Sequence, residues 1–473
     1  MWQSRRGARR PSPQKDISEY SLWHLLPELV LVKIFRMLNM NERYIASLVC
    51  WNWAQAFNLP DVWRVFVLDD TVLTKSKYNY YLGWQKTLDH IRTSTALDKM
   101  ARHIRTLVIR PMANFYNMYS FMNALSAFAQ RYPGSLDGVI ALRYTFVCTL
   151  AEKENDEVFG TGGEILRSLQ RLMGHLAGLR DIELVDLLLE RVEGMHALDQ
   201  VSVVCCETMR VLKLINITKF QVELLHPGVF INLRELHISP QNLGDDLLYL
   251  LAENKLRNLH LIQNEHTEST GSVGRRSWRD ARLRNSRLRV HLRLEGKPRH
   301  QEIIWQQGAP VKSILYRSPY IAVSAVSVLT TIEYYGTDLE VYGHLGLPRF
   351  HRSASFHERA DGALVMLLRH CPLVHTLVVR ERISSATVLL LAHTGKNLRR
   401  LFVRANAVLL RADWPRSPEW SPQFYDWLRG AARSYSRTEA EVSRLLGYPW
   451  CLLSDKVFRA LRLDLNQSHY WNT

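Results

Sequence analysis

The residues of this chain that could hold a metal ion or attack a substrate show none of the spacings that such sites require. Its six cysteines include no C-x-x-C pair, and its 18 histidines include neither H-E-x-x-H nor H-x-E followed by C-x-x-C. The sequence therefore predicts no metal site and no cofactor. Most of the cysteines have apolar neighbours, which is typical of a reduced intracellular chain, so we expect the protein in the cytoplasm, the nucleus or both.

Three short motifs contain some residues of a phosphate-binding or acid–base site but lack the rest of its pattern. FGTGGE at 159–164 lacks the Gly-Lys-Ser/Thr ending of a phosphate-binding loop, and TGKN at 394–397 lacks the preceding glycines. HERAD at 357–361 has the charge pattern of a solvated loop. We predict turns or loops at all three and no catalytic residues; a site assembled from residues far apart in the sequence remains an alternative.

The strongest charge feature is the arginine-rich segment GRRSWRDARLRNSRLRV at 274–290, in a chain whose net charge is +16. We interpret residues 264–300 as an exposed loop that leads into the strand LRVHLRL at 288–294. Its arginines could bind an acidic or phosphorylated segment of a protein partner, and the candidates are Arg275, Arg276, Arg279, Arg282 and Arg284. Nucleic acid is the alternative partner, although Trp278 is the only aromatic residue there on which a base could stack.

The elements that would position these residues change in character along the chain. Residues 1–19 predict a disordered basic arm, in which RRGARRP could be a nuclear import signal or a merely solvated tail. Residues 20–66 predict a compact block of three short helices, and residues 67–99 predict a linker. No stretch of about 18 uncharged apolar residues occurs, so we expect no membrane-spanning helix and no membrane partner.

From residue 100 to 410, short segments recur with apolar residues at positions one, four and six. Three of them start at residues 209, 233 and 256, a spacing that predicts an irregular leucine-rich-repeat solenoid with one strand and one helix per repeat. An unrelated α/β domain is the alternative. Residues 411–473, rich in Pro and Trp at first, predict a helical C-terminal cap. The segments are IRTLVI (104–109), LRDIEL (179–184), MRVLKL (209–214), LRELHI (233–238), LRNLHL (256–261), VKSILY (311–316), LTTIEY (329–334) and LRRLFV (398–403).

The helix predicted at LPELVLVKIFRML, residues 26–38, has more apolar residues than one buried face needs. A helix on the surface of a domain buries a single stripe about 100° wide. Leu29, Val30, Leu31 and Val32 are four consecutive apolar residues and so point to every side. The second apolar side must therefore be covered by another protein or by the repeats of this chain.

The block at 20–66 resembles an F-box, and the elements that carry the resemblance are LPELVLVKIFRML, NERYIASLVCWNW and PDVWR, in that order. With the repeats behind it, the chain resembles the F-box/leucine-rich-repeat adaptors. The resemblance implies a non-catalytic chain whose F-box binds a Skp-type linker protein, and through it a cullin scaffold, while the repeats recruit an unknown protein substrate for ubiquitination. The residues that match linker-facing and core positions of an F-box are Leu26, Pro27, Leu29, Val30, Ile34, Phe35, Leu38, Val49, Cys50 and Trp53.

Overall fold

The computed structural model describes residues 22–81, 83–112, 114–146, 163–268, 271–298, 302–350 and 355–461. The predicted basic arm at 1–19, most of the FGTGGE motif and the end of the predicted cap, from residue 462, lie outside the described residues. None of the helices within the described ranges combines the length and the apolar character that crossing a lipid bilayer requires.

The N-terminal block contains three short helices, α1 (Glu28–Met37), α2 (Met40–Ser47) and α3 (Trp51–Phe57), followed by a 3-10 helix at Pro60–Trp63. The start of α2 is fixed by a capping box. The Asn39 side chain accepts the N–H of Glu42 at 2.9 Å, and the Glu42 carboxylate accepts the N–H of Asn39 at 2.8 Å. These two bonds satisfy amide groups that a helix start would otherwise leave without partners.

Within the described residues, twelve strands form one parallel sheet whose spatial order follows the chain. Parallel neighbours need a crossover connection, and helices supply most of these connections on one face of the sheet. The twelve strands are β1 (Val65–Leu68), β4 (Thr106–Ile109), β5 (Ala141–Thr145), β6 (Asp181–Val185), β7 (Val211–Ile215), β8 (Glu235–Ile238), β9 (Asn258–Gln263), β10 (Arg289–Leu294), β11 (Val311–Tyr316), β12 (Val341–His344), β13 (Thr376–Val379) and β15 (Arg400–Val403).

The described part of the chain also contains two small sheets and thirteen further α-helices, besides short 3-10 helices. The small sheets are the antiparallel hairpin of β2 (Thr74–Asn79) and β3 (Gly83–Leu88) and the parallel pair β14 (Ile383–Ser384) and β16 (Val408–Leu409). The helices are α4 (His90–Met100), α5 (Phe115–Arg131), α6 (Gly163–Gly174), α7 (Arg191–His196), α8 (Asp199–Cys205), α9 (Asp245–Glu253), α10 (Arg275–Arg284), α11 (Ala325–Tyr335), α12 (Asp361–His370), α13 (Ser385–Thr394), α14 (Pro422–Ala431), α15 (Tyr435–Leu446) and α16 (Asp455–Ala460).

The core lies between the sheet and the helices. Successive residues of a strand point to opposite faces of the sheet, so every second residue points toward the helices. Leu236, Leu259 and Val290 occupy matching register positions on β8, β9 and β10, and all three are buried. Successive helices pack side by side, such as α9 on α10 and α11 on α12. The opposite side of the sheet, called the open face below, carries the alternate residues Glu183, Lys213, His237, His260 and His291. The predicted α/β fold, a helical block followed by an irregular solenoid, is confirmed.

The repeat array begins before residue 100. Strand β1 starts at Val65, directly after the helical block, and pairs with β4 through register positions such as Val65 and Thr106. The segment 67–99, predicted as a linker, contains the β2–β3 hairpin and helix α4. The spacing of apolar residues does not indicate β1, because the hairpin lengthens its repeat.

Two predictions for the middle of the chain are wrong. LTTIEY at 329–334, predicted as a strand, lies within α11, since apolar residues three apart also suit a helix. The region 264–300, predicted as an exposed loop, contains the helix α10. Trp278 anchors this helix: its ring is fully buried, and its indole N–H donates to the Gln306 side chain at 3.2 Å. It is therefore no platform for a base.

The HERAD motif is not a solvated loop. Arg359 and Asp361 form an ion pair of 2.8 Å with both side chains fully buried, and Asp413 lies 2.8 Å from the same guanidinium. Buried charges are tolerated when they are paired in this way. The motif ties the start of α12 to the segment that follows β16, which is a structural role.

The predicted helical cap is confirmed, and it divides between the two sides of the sheet. Helices α14 and α15 pack against α13 at the end of the helix layer. Helix α16 instead lies against the open face, where Phe458 is buried among Leu315, Val341 and Val378. Part of the open face is therefore occupied by the chain itself.

Candidate protein-docking surface

The core of the helical block is a chain of aromatic rings. Phe35 of α1 meets Trp53 of α3 edge-on at 5.8 Å between ring centroids, and Phe57 at 6.3 Å. Phe57 in turn meets Trp63 at 4.9 Å and 87°. Edge-to-face pairs of this kind are favourable beyond the area they bury. Phe35, with no solvent exposure, therefore belongs to the core of the block and not to a docking surface.

A buried arginine joins the helices of the block. The Arg43 side chain donates to the carbonyls of Phe35 at 2.9 Å and Leu38 at 3.0 Å through Nε, and to that of Val62 at 2.8 Å through Nη1. Its guanidinium also lies 5.6 Å from the centre of the Trp63 ring. Burial lowers the pKa of Arg43. These contacts fix α2 to the end of α1 and to the exit of the block.

Two side chains of α3 hold the segment that precedes α1. The Trp53 indole N–H donates to the carbonyl of Trp23 at 3.0 Å. The Asn52 amide donates to the carbonyls of His24 and Leu26, both at 3.0 Å. The 3-10 helix Leu22–Leu25 is thereby held beside α3, although none of its side chains is buried.

Helix α1 has two apolar faces, and only one of them is covered. Leu31, Val32 and Phe35 are buried in the block. Leu29 is 77% exposed, and Val30 and Met37 are also exposed. Because Val30, Ile34 and Met37 are four and three residues apart, they share one side of the helix.

Exposed apolar residues continue from α1 through the rest of the block. We call the whole set the docking surface: Leu22, Trp23, Leu25, Leu29, Val30, Met37, Tyr44, Ile45, Leu48, Val49 and Trp51. The largest side chains of the set are Trp23 and Trp51, and Trp51 is 78% exposed. The described repeats do not cover these side chains, which excludes the alternative that the repeats bury the second side of α1. Apolar sets of this size on a soluble domain are typical of protein–protein contact sites.

The structure divides the ten predicted site residues into three groups. Pro27, Leu29, Val30 and Val49 are exposed, Phe35 is buried, and the half-buried residues are Leu26, Ile34, Leu38, Cys50 and Trp53. Eight residues of the docking surface were not among the predicted site residues: Leu22, Trp23, Leu25, Met37, Tyr44, Ile45, Leu48 and Trp51. The apolar spacing of Tyr44 and Leu48 is a signal in the sequence for this surface, because residues four apart lie on one side of a helix.

The five candidate arginines of α10 are not equally available to a partner. Arg282 is paired with Asp338 at 3.0 Å, and Arg284 with Glu253 at 3.3 Å. Arg275, Arg279 and Arg282 line an open cleft of about 550 Å³ together with Lys312 and Asp338, while Arg276 is exposed beside them. The structure therefore brings three of the five predicted residues to one cleft. Among the described residues, one carboxylate and two histidines come together on β8 and β9 of the open face, but the histidine rings are stacked in parallel planes, so their lone pairs cannot both reach one metal ion.

Comparison with known proteins gives matches for the helical block. Residues 23–65 match the family described as F-box domain. Over 59 residues the chain is 37% identical to the F-box/LRR-repeat protein 21 of Mus musculus and to that of Bos taurus, and each alignment covers 12% of this chain and 13% of the relative. The Ovis aries protein of the same name is 34% identical over 80 residues, 17% of this chain and 18% of that protein. The chain thus aligns with less than a fifth of each relative.

A solved structure that the comparison matches to this chain is the one titled "Crystal structure of Rad7 and Elc1 complex in yeast". The similarity covers 83% of this chain and 92% of that chain, at 12% sequence identity and a TM-score of 0.34.

Proposed function

Residues 23–65 form an F-box domain, and we propose that the chain is the substrate-recognition adaptor of an SCF-type ubiquitin ligase. In this proposal the docking surface binds a Skp-type linker protein, which connects the chain to a cullin scaffold. The observation that carries the proposal is the exposure of eleven large apolar side chains in and beside the F-box helices, while the aromatic core of the same helices is closed.

The docking surface is large enough to hold a partner. Burying an exposed Leu, Val, Ile or Met side chain contributes about 1.5–3 kcal/mol before the cost of association is subtracted. Four or five such side chains from α1 and α2 therefore suffice for a stable interface. Trp23 and Trp51, both exposed, have the size that is typical of residues dominating binding energy.

In this proposal the chain is not an enzyme, and its role is to bring a protein substrate close to the conjugating enzyme. The repeat domain holds a protein substrate while other subunits carry out ubiquitin transfer, so the effective concentration of substrate beside the conjugating enzyme rises. We also propose that the protein acts in the cytoplasm, the nucleus or both, because the apolar neighbours of most of its cysteines are typical of a reduced intracellular chain.

The test is co-purification of the full chain with a Skp-type linker. The double variant V30E/I45E puts charges on two exposed residues of α1 and α2, so the core should remain intact. Two lost apolar contacts predict linker binding weaker by at least about 100-fold. The matched control, V203E/L283E, places the same charges at exposed apolar residues of α8 and α10. Equal retention of the linker by both variants would overturn the proposal.

The cleft beside α10 is our candidate for a substrate contact within this function. Arg282 and Lys312 both contact Asp338, at 3.0 and 3.4 Å, so one carboxylate faces two cations while Arg275 and Arg279 add further positive charge. An acidic or phosphorylated segment of a protein substrate would complement this charge. R275E/R279E should abolish binding of an acidic phosphopeptide and leave linker binding unchanged; unaltered peptide binding would exclude the cleft.

A second candidate function, nucleic-acid binding, is favoured by a different feature than the arginine segment. The β2–β3 hairpin exposes Tyr78, Tyr80, Tyr81 and Trp84. Lys75, Lys77 and Lys86 are exposed on the same two strands. Aromatic side chains between basic ones suit single-stranded nucleic acid, on whose bases they stack.

Salt titration separates the two functions. Binding of a single-stranded oligonucleotide through lysines should weaken steeply as salt is added, since counterion release drives it. Docking of a linker on apolar side chains should not weaken in this way. If W84A and K77A leave oligonucleotide binding unchanged, or none is detected at low salt, the second candidate fails and the first stands.

A further inference from the structure

A row of arginines follows one edge of the large sheet, at the point where its strands begin. Arg180, Arg210, Arg234 and Arg257 directly precede the four consecutive strands β6, β7, β8 and β9. They occupy the second position of the apolar segments, where seven of the eight segments have Arg or Lys and the exception, LTTIEY, lies in a helix. We call these four residues the arginine rim.

Backbone hydrogen bonds hold the rim arginines at matching positions. The N–H of Arg210 donates to the carbonyl of Arg180 at 2.9 Å, that of Arg234 to the carbonyl of Arg210 at 2.9 Å, and that of Arg257 to the carbonyl of Arg234 at 3.1 Å. Adjacent strands of a sheet lie about 4.8 Å apart, so the four Cα atoms form a row about 14 Å long. The spacing of these charges is therefore set by the sheet.

The guanidinium groups of the rim are available to a partner. Arg180, Arg234 and Arg257 are exposed, and Arg210 is half-buried and donates to the carbonyl of Asn232 at 3.4 Å. Within the described ranges of the chain, none of the four forms an ion pair. A carboxylate that binds to the rim therefore gains a charge-assisted hydrogen bond without displacing an existing one from another carboxylate.

The rim leads directly into the cleft beside α10. In the register of the sheet, residue 289 of β10 lies beside residue 258 of β9. Leu288 thus occupies the next position of the row after Arg257, and Leu288 also lines the cleft. Rim and cleft form one basic track, which extends over four strand spacings, about 19 Å, from Arg180 to Leu288.

The length and the charge of the track suit an extended acidic peptide. An extended chain rises about 3.3 Å per residue, so about six residues span the track. Each carboxylate of such a peptide can accept two parallel N–H bonds from one guanidinium group. Single-stranded nucleic acid fits less well, since no residue directly before or after a rim arginine is aromatic and could stack on a base.

We propose that the arginine rim and the cleft together bind an extended acidic segment of a protein partner, about six residues long. The inference rests on the proposed function only in taking this partner to be the substrate. It extends the substrate contact from the cleft along four further strands of the sheet. The row of like charges would also speed the encounter with an acidic segment, because electrostatic steering depends on the summed charge of a surface.

The test measures binding of a fluorescent peptide of alternating Glu and Ser, about eight residues long, to the full chain by fluorescence anisotropy at low salt. R234E/R257E should weaken peptide binding by at least about 30-fold. R234K/R257K keeps the charges but not the paired donors, so its affinity should fall between the two. The matched control, R433E/R437E, reverses the same number of exposed charges in the C-terminal cap and should bind the peptide nearly as the wild type does.

Further measurements separate this proposal from the others. Melting curves show whether R234E/R257E is folded, and R180E, at another exposed arginine of the rim, serves if it is not. R234E/R257E should keep the Skp-type linker, and V30E/I45E should keep the peptide, so either proposal can fail alone. Absence of peptide binding by the wild type, equal peptide binding by folded R234E/R257E and R433E/R437E, or tighter binding of oligothymidine through the same arginines would overturn the inference.

Discussion

Phe35 and Trp53 meet edge-on with 5.8 Å between their ring centroids, and this contact belongs to the core of the F-box and not to its docking surface. Phe35 is fully buried, whereas Leu29, on the same helix, is exposed. Because Phe35 and Leu29 belong to one helix but differ in exposure, substitutions at these two positions should distinguish an effect on folding from an effect on docking.

F35A should lower the free energy of unfolding by about 3–5 kcal/mol, the usual cost of truncating a buried phenylalanine. L29A should change it by no more than about 0.5 kcal/mol, as is typical at an exposed site, while weakening linker binding. Urea denaturation and linker pull-down on the same samples measure both effects. A stable F35A would contradict the assignment of Phe35 to the core.

R43M should destabilise the F-box by at least about 2 kcal/mol, since three carbonyls lose a charged donor. The matched control is R36M, because Arg36 is an exposed arginine on the neighbouring helix. The control should stay within about 0.5 kcal/mol of the wild type. The urea midpoints of the two variants measure this difference. Similar midpoints would show that the hydrogen bonds of Arg43 make no net contribution to the free energy of unfolding.

Glu340 should make stability depend on pH in the acid range. Burial alone would raise the pKa of this carboxyl, but the nearby His375 ring, 3.8 Å away, and the charges of Arg289 and Lys312 lower it to about 2. A carboxyl with a lowered pKa stabilises the folded state above its unfolded pKa of about 4.3 and loses that contribution as pH falls toward the folded value. The contribution at neutral pH is of the order of 3 kcal/mol.

The check is the free energy of unfolding measured from pH 6 down to pH 3. The wild type should lose stability more steeply than E340Q, which has no proton to gain at this position. E253Q, in an exposed ion pair with Arg284, should keep the wild-type slope. Parallel curves for the wild type and E340Q would show that Glu340 is not specially stabilised in the folded protein.

The parts of the fold that the sequence could predict are those set by local pattern. The strands at 209–214, 233–238 and 256–261 were found because apolar residues that face the core recur at fixed positions. The resemblance of the helical block to an F-box is confirmed by the domain match at 23–65. In both cases the information lies within a few consecutive residues.

The parts that the sequence could not supply depend on which residues meet across elements. Leu29 and Phe35 are both apolar, and only the packing of α1 on α3 makes one exposed and the other buried. The sequence predicts Arg359 and Asp361 in a solvated loop. In the structure both are buried, and Asp413, which is distant in the sequence, completes their network of ion pairs. The stacking of three histidine rings on the open face arises from the register of β8, β9 and β10, which no spacing along the chain encodes.

Phe458 should decide whether α16 stays on the open face. A helix of six residues is too short to be stable alone, so its position depends on tertiary contacts. Two such contacts are the burial of Phe458 among Leu315, Val341 and Val378 and the ion pair between Asp455 and Arg404 at 2.7 Å. Removing the ring in F458A leaves a cavity and costs about 3–5 kcal/mol locally.

This cost exceeds what the remaining ion pair supplies, so α16 should detach while the sheet beneath it stays folded. Amide hydrogen exchange across Asp455–Ala460 should then accelerate by at least about 100-fold, as expected for a segment that opens independently. V457A, at the exposed neighbouring residue, should leave the exchange of α16 unchanged. Equal exchange in the two variants would mean that Arg404 and the preceding loop hold α16 without the phenylalanine, and that the open face near β11–β13 stays covered.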